Sequence, residues 1–112
     1  MKKKKGEEEK IKHILTDEKL SAIKAMLEKD HAIDCLFLLH LNRGKWKEAK
    51  DFMRNNDLTL SDGTFRSRMI EIEQLGLAES KRIDPLKKYY VITEVGKKVA
   101  QLLLEFFDEF DV

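Results

Sequence analysis

Apolar residues recur along most of this chain at the spacing of amphipathic helices. Leu20, Ile23 and Leu27 form one narrow stripe at positions i, i+3 and i+7. This stripe predicts a first helix over residues 16–29, with the Thr or the Asp at its start as the N-cap.

Residues 31–43 are apolar on nearly all sides of a helix, which is typical of a central, buried element. We expect Asp30 to cap this helix and Gly44 to stop it. Within it, Cys35 should pack as a small hydrophobe rather than act as a reactive thiol. We expect His40 to be a hydrogen-bonded core residue rather than a ligand.

Two shorter amphipathic helices follow the central one. The first spans residues 46–55 and has apolar residues along one side, namely Trp46, Ala49 and Met53. The second spans residues 61–75, begins at the N-cap Ser61 and ends at Gly76, which is free to take a positive φ. Its inward face is formed by residues at i, i+4 and i+7, namely Phe65, Met69 and Ile72.

The apolar pattern then changes to a period of two. Residues 77–83 and 86–92 are predicted to be strands joined by an Asp-Pro turn. Thr93 caps a last helix over residues 94–110, whose apolar sector is wider than one neighbour needs. The fold class is therefore mainly α with a small β-hairpin.

The two ends of the chain differ in character. Residues 1–12 are blocks of lysine and glutamate that cannot be buried, so we expect a disordered charged tail followed by a single domain over residues 13–112. The N-terminus lacks the apolar segment of a secretory signal. No apolar run reaches the roughly 18 residues that would span a membrane, so we expect a cytoplasmic protein with no membrane partner.

Composition limits the classes of function. Charged residues make up 38% of the chain, mostly Lys and Glu, as is typical of hyperthermophile proteins. The net charge is only +1, so nucleic-acid binding would have to come from local basic clusters. No glycine-rich phosphate loop, CxxC pair or HExxH is present, and the histidines lack metal-ligand spacing with the lone cysteine. We expect no enzyme, no cofactor and no metal.

The order of elements is the most informative feature of residues 31–92. Three helices followed by strand, turn and strand are the order of a winged helix-turn-helix. In this motif the third helix enters the major groove and the second braces it. We assign the helix-turn-helix to residues 31–76 and the wing to residues 77–92, with one extra helix at each end.

Two passages resemble a known family. TFRSRMIEIEQLGLAESKR resembles the recognition-helix-to-wing region of prokaryotic winged-helix transcription regulators of the MarR, PadR and HxlR kinds, including the closing Leu-Gly-Leu. YYVITEVGKKV resembles their wing exit, and the two matches in register cover residues 31–110. The composition resembles small regulators of hyperthermophilic archaea or of their viruses, which would place a viral protein in the host cytoplasm.

The candidate DNA contacts lie at the N-terminal end of helix 61–75, with Ser67 on the face opposite the core residues and Arg66 on its flank. Hydroxyl and guanidinium groups suit base edges or phosphates, and a helix N-terminus attracts phosphate. The candidates are Ser61, Thr64, Arg66 and Ser67, with Arg68 reaching a phosphate along the helix surface. Glu71 on the flank would repel the phosphate backbone unless it accepts a hydrogen bond from a cytosine amine.

Basic residues also cluster around the turn of the predicted wing, with Asp84 as the acid at its tip. They are Lys81, Arg82, Lys87 and Lys88. The resemblance implies that they contact the minor groove or flanking phosphates. The alternative is a solvated hairpin whose lysines only blunt an edge strand.

The last helix ends in acidic residues that DNA would repel, so its apolar face should point away from a duplex. With the stripe of helix 16–29, this face predicts a homodimer whose recognition helices lie about 34 Å apart. The expected interface residues are Val99, Leu102, Leu103, Phe106, Phe107 and Phe110. The alternative is that both helices pack against their own domain.

Together these features predict a sequence-specific protein that binds double-stranded DNA, a transcription regulator that acts by occupying a promoter. The alternative is a winged-helix module that binds another protein. The basic wing and the run Arg66-Ser67-Arg68 favour DNA, whereas the near-neutral net charge and Glu71 favour the alternative.

Overall fold

The computed structural model describes residues 2–85 and 87–111, with side chains from Gly6 onward within these ranges. The described residues form a mainly helical chain with one two-stranded antiparallel sheet, which confirms the predicted coarse fold class. In order, the elements are α1 (Lys2–Thr16), α2 (Glu18–Leu27), α3 (Ala32–His40), α4 (Trp46–Asn55), α5 (Asp62–Gln74), β1 (Ala78–Asp84), β2 (Lys87–Ile92) and α6 (Glu94–Asp108). Three predicted positions lie outside the described residues. They are Met1 of the predicted tail, Leu86 of the predicted second strand and Val112 at the end of the predicted domain.

The chain divides into two compact units, one up to Asp30 and one from His31 onward. This differs from the single domain expected over residues 13–112, because helix α2 belongs to the first unit. The expectation of a disordered tail over residues 1–12 differs as well, since α1 occupies residues 2–12 of this segment. Lysine and glutamate make up most of it, and both side chains lose little rotamer freedom in a helix.

Within the first unit, α1 contacts α2. Asp17 is the N-cap of α2, and its carboxylate accepts a hydrogen bond from the Leu20 N–H at 2.8 Å. The alternative cap, Thr16, instead donates its hydroxyl to the Lys12 carbonyl at 2.8 Å. Isolated helices of this length are marginal in water, so the contact with α2 stabilises the charged α1.

Helix α3 is the centre of the second unit and contacts α5, α6 and β2. Its side chains are buried almost all round, as the apolar pattern predicted. The buried residues of α3 are Ala32, Cys35, Leu36, Leu38 and Leu39. The predicted inward face of α5 is confirmed, because Phe65, Met69 and Ile72 are all buried.

Helix α4 has the bounds that the sequence predicted, with Ala49 and Met53 buried. It reaches α5 through an aromatic contact, in which the rings of Trp46 and Phe65 lie 5.0 Å apart between centroids.

Three helices of this unit end in the same way. Asn42, Asp57 and Gly76 take positive φ values of 61°, 56° and 79° just beyond α3, α4 and α5. The residue after each of them donates its backbone N–H to the helix carbonyl five positions earlier. The bonds are Arg43 to Leu38 at 2.7 Å, Leu58 to Met53 at 2.8 Å and Leu77 to Ile72 at 3.1 Å. These are Schellman motifs, which satisfy carbonyls that the helix leaves open.

The ends of α3 differ from those expected. Asp30 is not its N-cap, since His31 occupies that position in the left-handed region with no capping bond from its side chain. At the other end, Asn42 supplies the positive φ, because asparagine tolerates that region.

Gly44 has a different role from the predicted helix stop. Its carbonyl accepts a hydrogen bond from the Tyr90 N–H at 3.2 Å. A Cβ at position 44 would lie 1.8 Å from the Tyr90 carbonyl oxygen, so only glycine fits there. The loop between α3 and α4 is thereby held against the backbone of β2.

The hairpin is anchored at its base and exposed toward its turn. Ala78 pairs with Ile92 and both are buried, whereas Arg82 pairs with Lys88 and both are exposed. Thr93 caps α6 as predicted, because its hydroxyl oxygen accepts a hydrogen bond from the Gly96 N–H at 3.1 Å.

We expect Gly63→Ala and Gly76→Ala to change stability in opposite directions, although a Cβ has open space at both positions. Gly63 lies inside α5, so alanine should raise the free energy of unfolding by about 0.5 kcal/mol. Gly76 has positive φ, so alanine should lower it by about 1 to 2 kcal/mol. Denaturant unfolding of the two variants measures both changes. If Gly76→Ala raised the free energy of unfolding as Gly63→Ala does, the positive φ at Gly76 would be contradicted.

Candidate nucleic-acid interface

The first turn of α5 is closed by two hydroxyl groups. The Ser61 hydroxyl oxygen accepts a hydrogen bond from the Thr64 N–H at 3.1 Å and donates to the Thr64 hydroxyl at 2.9 Å. Ser61 therefore uses its donor within the helix cap. The Thr64 hydroxyl keeps its own proton for another acceptor, although its side chain is half-buried.

The outward face of α5 is mixed in character. The Arg66 side chain is 70% exposed, and its Nη2 lies 3.1 Å from a carboxylate oxygen of Asp62. Ser67 is exposed beside it, and one turn further on Ile70 is 39% exposed. A partner on this face would meet a guanidinium, a hydroxyl and an apolar side chain.

Arg68 is not brought to this face. Its side chain is only 17% exposed and forms an ion pair with Glu71, which is itself largely covered. Of the predicted contacts on α5, the structure therefore presents Arg66 and Ser67 openly, keeps Ser61 and Thr64 in the cap, and turns Arg68 inward. The outward repulsion expected from Glu71 is absent, because its carboxylate is paired with Arg68.

The four basic residues of the hairpin divide between two faces. Side chains alternate along a strand, so Arg82 and its partner Lys88 share the face of the buried Tyr90. Lys81 pairs with Tyr89 on the other face. The Lys88 ammonium lies 5.4 Å from the centroid of the Tyr90 ring, a cation–π contact within its own strand.

These basic residues also differ in their partners. Lys81 lies 3.6 Å from a carboxylate oxygen of Glu79, and the Arg82 guanidinium donates to the Pro85 carbonyl at 3.0 Å. Within residues 6–85 and 87–111, no carboxylate lies within ion-pair distance of the ammonium group of Lys87 or Lys88. These two lysines are therefore the cations of the hairpin most available to a partner.

Lys45 is a basic residue that the sequence did not single out. It lies next to Gly44, and its ammonium is 5.4 Å from the centroid of the Tyr89 ring. It thus joins the hairpin face of Lys81 and Tyr89. Nothing in the linear sequence pairs position 45 with position 89, because the contact depends on the backbone bond between Gly44 and Tyr90.

The apolar face of α6 is largely open. Leu102 is 64% exposed, and Phe106 and Phe107 are also exposed. Phe110, expected inside this helix, lies just beyond its end at Asp108 and is 71% exposed. Val99 and Leu103 are half-buried, so these two predicted interface residues lie partly within their own unit. Phe106 forms edge-on contacts with Phe107 and Phe110, at 5.2 and 5.4 Å between ring centroids.

Comparison of the chain with family models, curated proteins and solved structures found no match. In the part of the chain that the structure describes, no helix is both long and apolar enough to cross a membrane. That same part holds no cluster of His, Cys, Asp and Glu suited to a metal ion. His40, expected to be a hydrogen-bonded core residue, is only half-buried, and its buried Nδ1 has no hydrogen-bond partner among the described residues.

We expect Cys35 to resist alkylation in the folded chain. Its side chain is fully buried, and burial raises the pKa of the thiol from 9.0 to about 12, with a further rise from Asp34 and a smaller opposing effect from Arg68. At pH 8 the folded thiol should react with iodoacetamide about a thousandfold more slowly than the unfolded chain, since the thiolate is the nucleophile. Mass spectrometry with and without denaturant measures both rates, and comparable rates would show that Cys35 is accessible.

Proposed function

We propose that this chain is a double-stranded DNA-binding protein of the winged helix-turn-helix class, acting as a transcription regulator. In this proposal α5 is the recognition helix in the major groove. The hairpin β1–β2 is the wing, and its tip contacts phosphates. The observation that carries the proposal is the pair Lys87 and Lys88, two exposed lysines near the turn without a carboxylate partner among the described residues.

The order and packing of the second unit support this assignment. Helices α3, α4 and α5 precede the hairpin, and α4 packs on α5 through Trp46 and Phe65, as a bracing helix does. The Tyr90 N–H donates to the Gly44 carbonyl, so the loop between α3 and α4 lies beside strand β2. Together with the contact between α3 and β2, this bond holds the hairpin in position relative to α3.

The charges of the helix and of the wing suggest that the two elements contribute differently to DNA binding. Helix α5 contains two arginines against three carboxylates, so it supplies no net attraction for a phosphate backbone. The segment from Ala78 to Ile92 contains four basic residues against two acids. Affinity would therefore come mainly from the wing, and sequence preference from the exposed side chains of α5.

Arg66 is the strongest candidate for reading a base edge. Its pairing with Asp62 is exposed at both ends, and such surface pairs are worth about 1 kcal/mol or less. Arg66 can therefore leave this carboxylate for a guanine edge in the major groove at a small cost in free energy. Ser67, exposed on the same helix, would contact a neighbouring base or phosphate.

A second candidate function is a winged-helix module that binds another protein. It is favoured by the exposed Ile70 on the outward face of α5, a position where a duplex offers only a thymine methyl group as an apolar partner. The net charge of +1 favours it as well.

We also propose that the chain forms a homodimer through the open face of α6. Four large apolar side chains are exposed on this helix or just beyond its end, namely Leu102, Phe106, Phe107 and Phe110. Single exposed apolar residues are ordinary on protein surfaces, but contiguous apolar patches mark interaction sites. The acidic residues at the end of α6 keep this face away from DNA.

The double variant Lys87→Ala, Lys88→Ala should weaken binding to all duplex sequences about equally. Loss of two phosphate contacts should also reduce the slope of log K against log salt by about 1.8. Fluorescence anisotropy with a random-sequence duplex over a salt series measures both effects. The matched control is Lys97→Ala, Lys98→Ala, which removes the same charge near the base of the hairpin and should leave the slope unchanged.

Absence of duplex binding by the unaltered chain at low salt would reject the DNA proposal and leave the protein-binding module. An equal change of slope in the two double variants would instead show that overall charge, and not the wing tip, sets the affinity.

The variant Phe106→Ser, Phe110→Ser should convert a dimeric chain into a monomer without unfolding it, because these residues are 55% and 71% exposed and neither belongs to the buried core. Sedimentation velocity at micromolar concentration measures the change. Ile83→Ser is the control, since this equally exposed apolar residue lies on the hairpin. A monomeric unaltered chain would refute the proposed interface.

A further inference from the structure

An open cavity of about 450 Å³ lies within the second unit. Its walls come from α3, from α4 and the segment that follows it, and from Leu104 on α6. This volume is in the range of pockets that hold small molecules. None of the residues proposed to contact DNA lines it, so it is separate from the candidate nucleic-acid interface.

Most of the cavity wall is apolar, with two aromatic rings. Phe37 and Phe52 contribute from α3 and α4, and Leu41, Leu58 and Leu104 add aliphatic surface. A wall of this kind favours a ligand with an aromatic or branched aliphatic body, because the gain comes from apolar surface removed from water.

The polar part of the lining contains two carboxylates, Asp34 and Asp57, and two imidazoles, His31 and His40. Among the described residues, no lysine or arginine lines the cavity. The Asp34 carboxylate is engaged with the His31 imidazole, at 2.9 Å from Nδ1. Within the described chain Asp57 has no such partner, so its carboxylate is the charge left to complement a ligand.

Asp57 is also held in place by the backbone. It is the left-handed residue that ends α4, and the bond from Leu58 to the Met53 carbonyl closes the turn around it. Its carboxylate is therefore presented from a fixed Schellman motif rather than from a free loop.

We propose that this cavity binds a small amphipathic cation. Its apolar body lies between Phe37, Phe52 and Leu104, and its ammonium group lies at the Asp57 carboxylate. An anion of the same shape meets two carboxylates and no lysine or arginine, and the His31 imidazole is already engaged by Asp34, so an anion is disfavoured.

The segment that forms one wall of the cavity leads directly into α5. Leu58, Thr59 and Leu60 line the cavity, and the next residue is the N-cap Ser61. A ligand that packs against these residues stabilises the position of the first turn of α5. Both the binding site and this effect on α5 stand independently of the proposed DNA function.

The test uses three probes with the same phenyl ring and different charges, added to the full-length chain without DNA. They are 2-phenylethylammonium, 2-phenylethanol and 3-phenylpropionate. Amide chemical shifts should move saturably with the cation, with the largest changes at Leu58, Thr59 and Leu104, more weakly with the alcohol, and not with the anion. Equal binding of all three probes, changes centred elsewhere, or no saturable binding of the cation at millimolar concentration would overturn the proposal.

Two charge variants locate the cationic group of the probe. Asp57→Asn removes the carboxylate and keeps a residue that tolerates the left-handed conformation, so the fold should persist. It should weaken 2-phenylethylammonium binding about fivefold, as expected for loss of one partly exposed ion pair. Asp51→Asn removes the same charge from an exposed position of α4 outside the cavity and should have no effect. Unchanged affinity in Asp57→Asn would overturn the assignment of the ammonium site.

Discussion

The second unit depends on the burial of α3 against three neighbours at once. Leu36 and Leu39 are removed almost completely from water, and α5, β2 and α6 each contact the same helix. Because one helix supplies the common core, every exposed element of the unit is positioned relative to it. The hairpin depends on this core through one further contact, the backbone bond at Gly44 that a side chain would prevent. Burial and this close approach together place the hairpin tip, the outward face of α5 and the open face of α6 in fixed positions within the unit.

The charge distribution of the candidate interface differs from the simple picture of a basic helix with a basic wing. Both arginines of helix α5 pair with carboxylates of the same helix, Arg66 with Asp62 and Arg68 with Glu71. The hairpin leaves Lys87 and Lys88 without acidic partners among the described residues. In the proposed function, this arrangement separates the source of attraction for DNA from the source of sequence preference. It also explains how a chain with a net charge of +1 can still present a locally basic surface.

Much of the fold could be predicted from the sequence because its signals are local. The caps Ser61 and Thr93 and the glycine at position 76 act within a few residues. The bounds of α4 follow from its apolar periodicity and from the Asn-Asn-Asp turn at its end. Other features depend on competition or on distant contacts. A lysine- and glutamate-rich segment can be helical or disordered, and its contact with a second helix decides the outcome for α1. In the candidate site, the inward turn of Arg68 and the position of Lys45 over Tyr89 depend on neighbours that no spacing rule specifies.

The hydroxyl group of Thr93 forms a joint between two helices through two hydrogen bonds. It donates to the carbonyl of Gly76, just after α5, and accepts from the N–H of Gly96 at the start of α6. One oxygen atom therefore fixes the end of one helix to the beginning of another across 17 positions of the chain. Helix α6 has 15 residues and is about 22 Å long, so a tilt of about 10° at this joint moves its far end by about 4 Å. By the same geometry, a force applied at the phenylalanine-rich end of α6 acts on the end of α5 through a long lever.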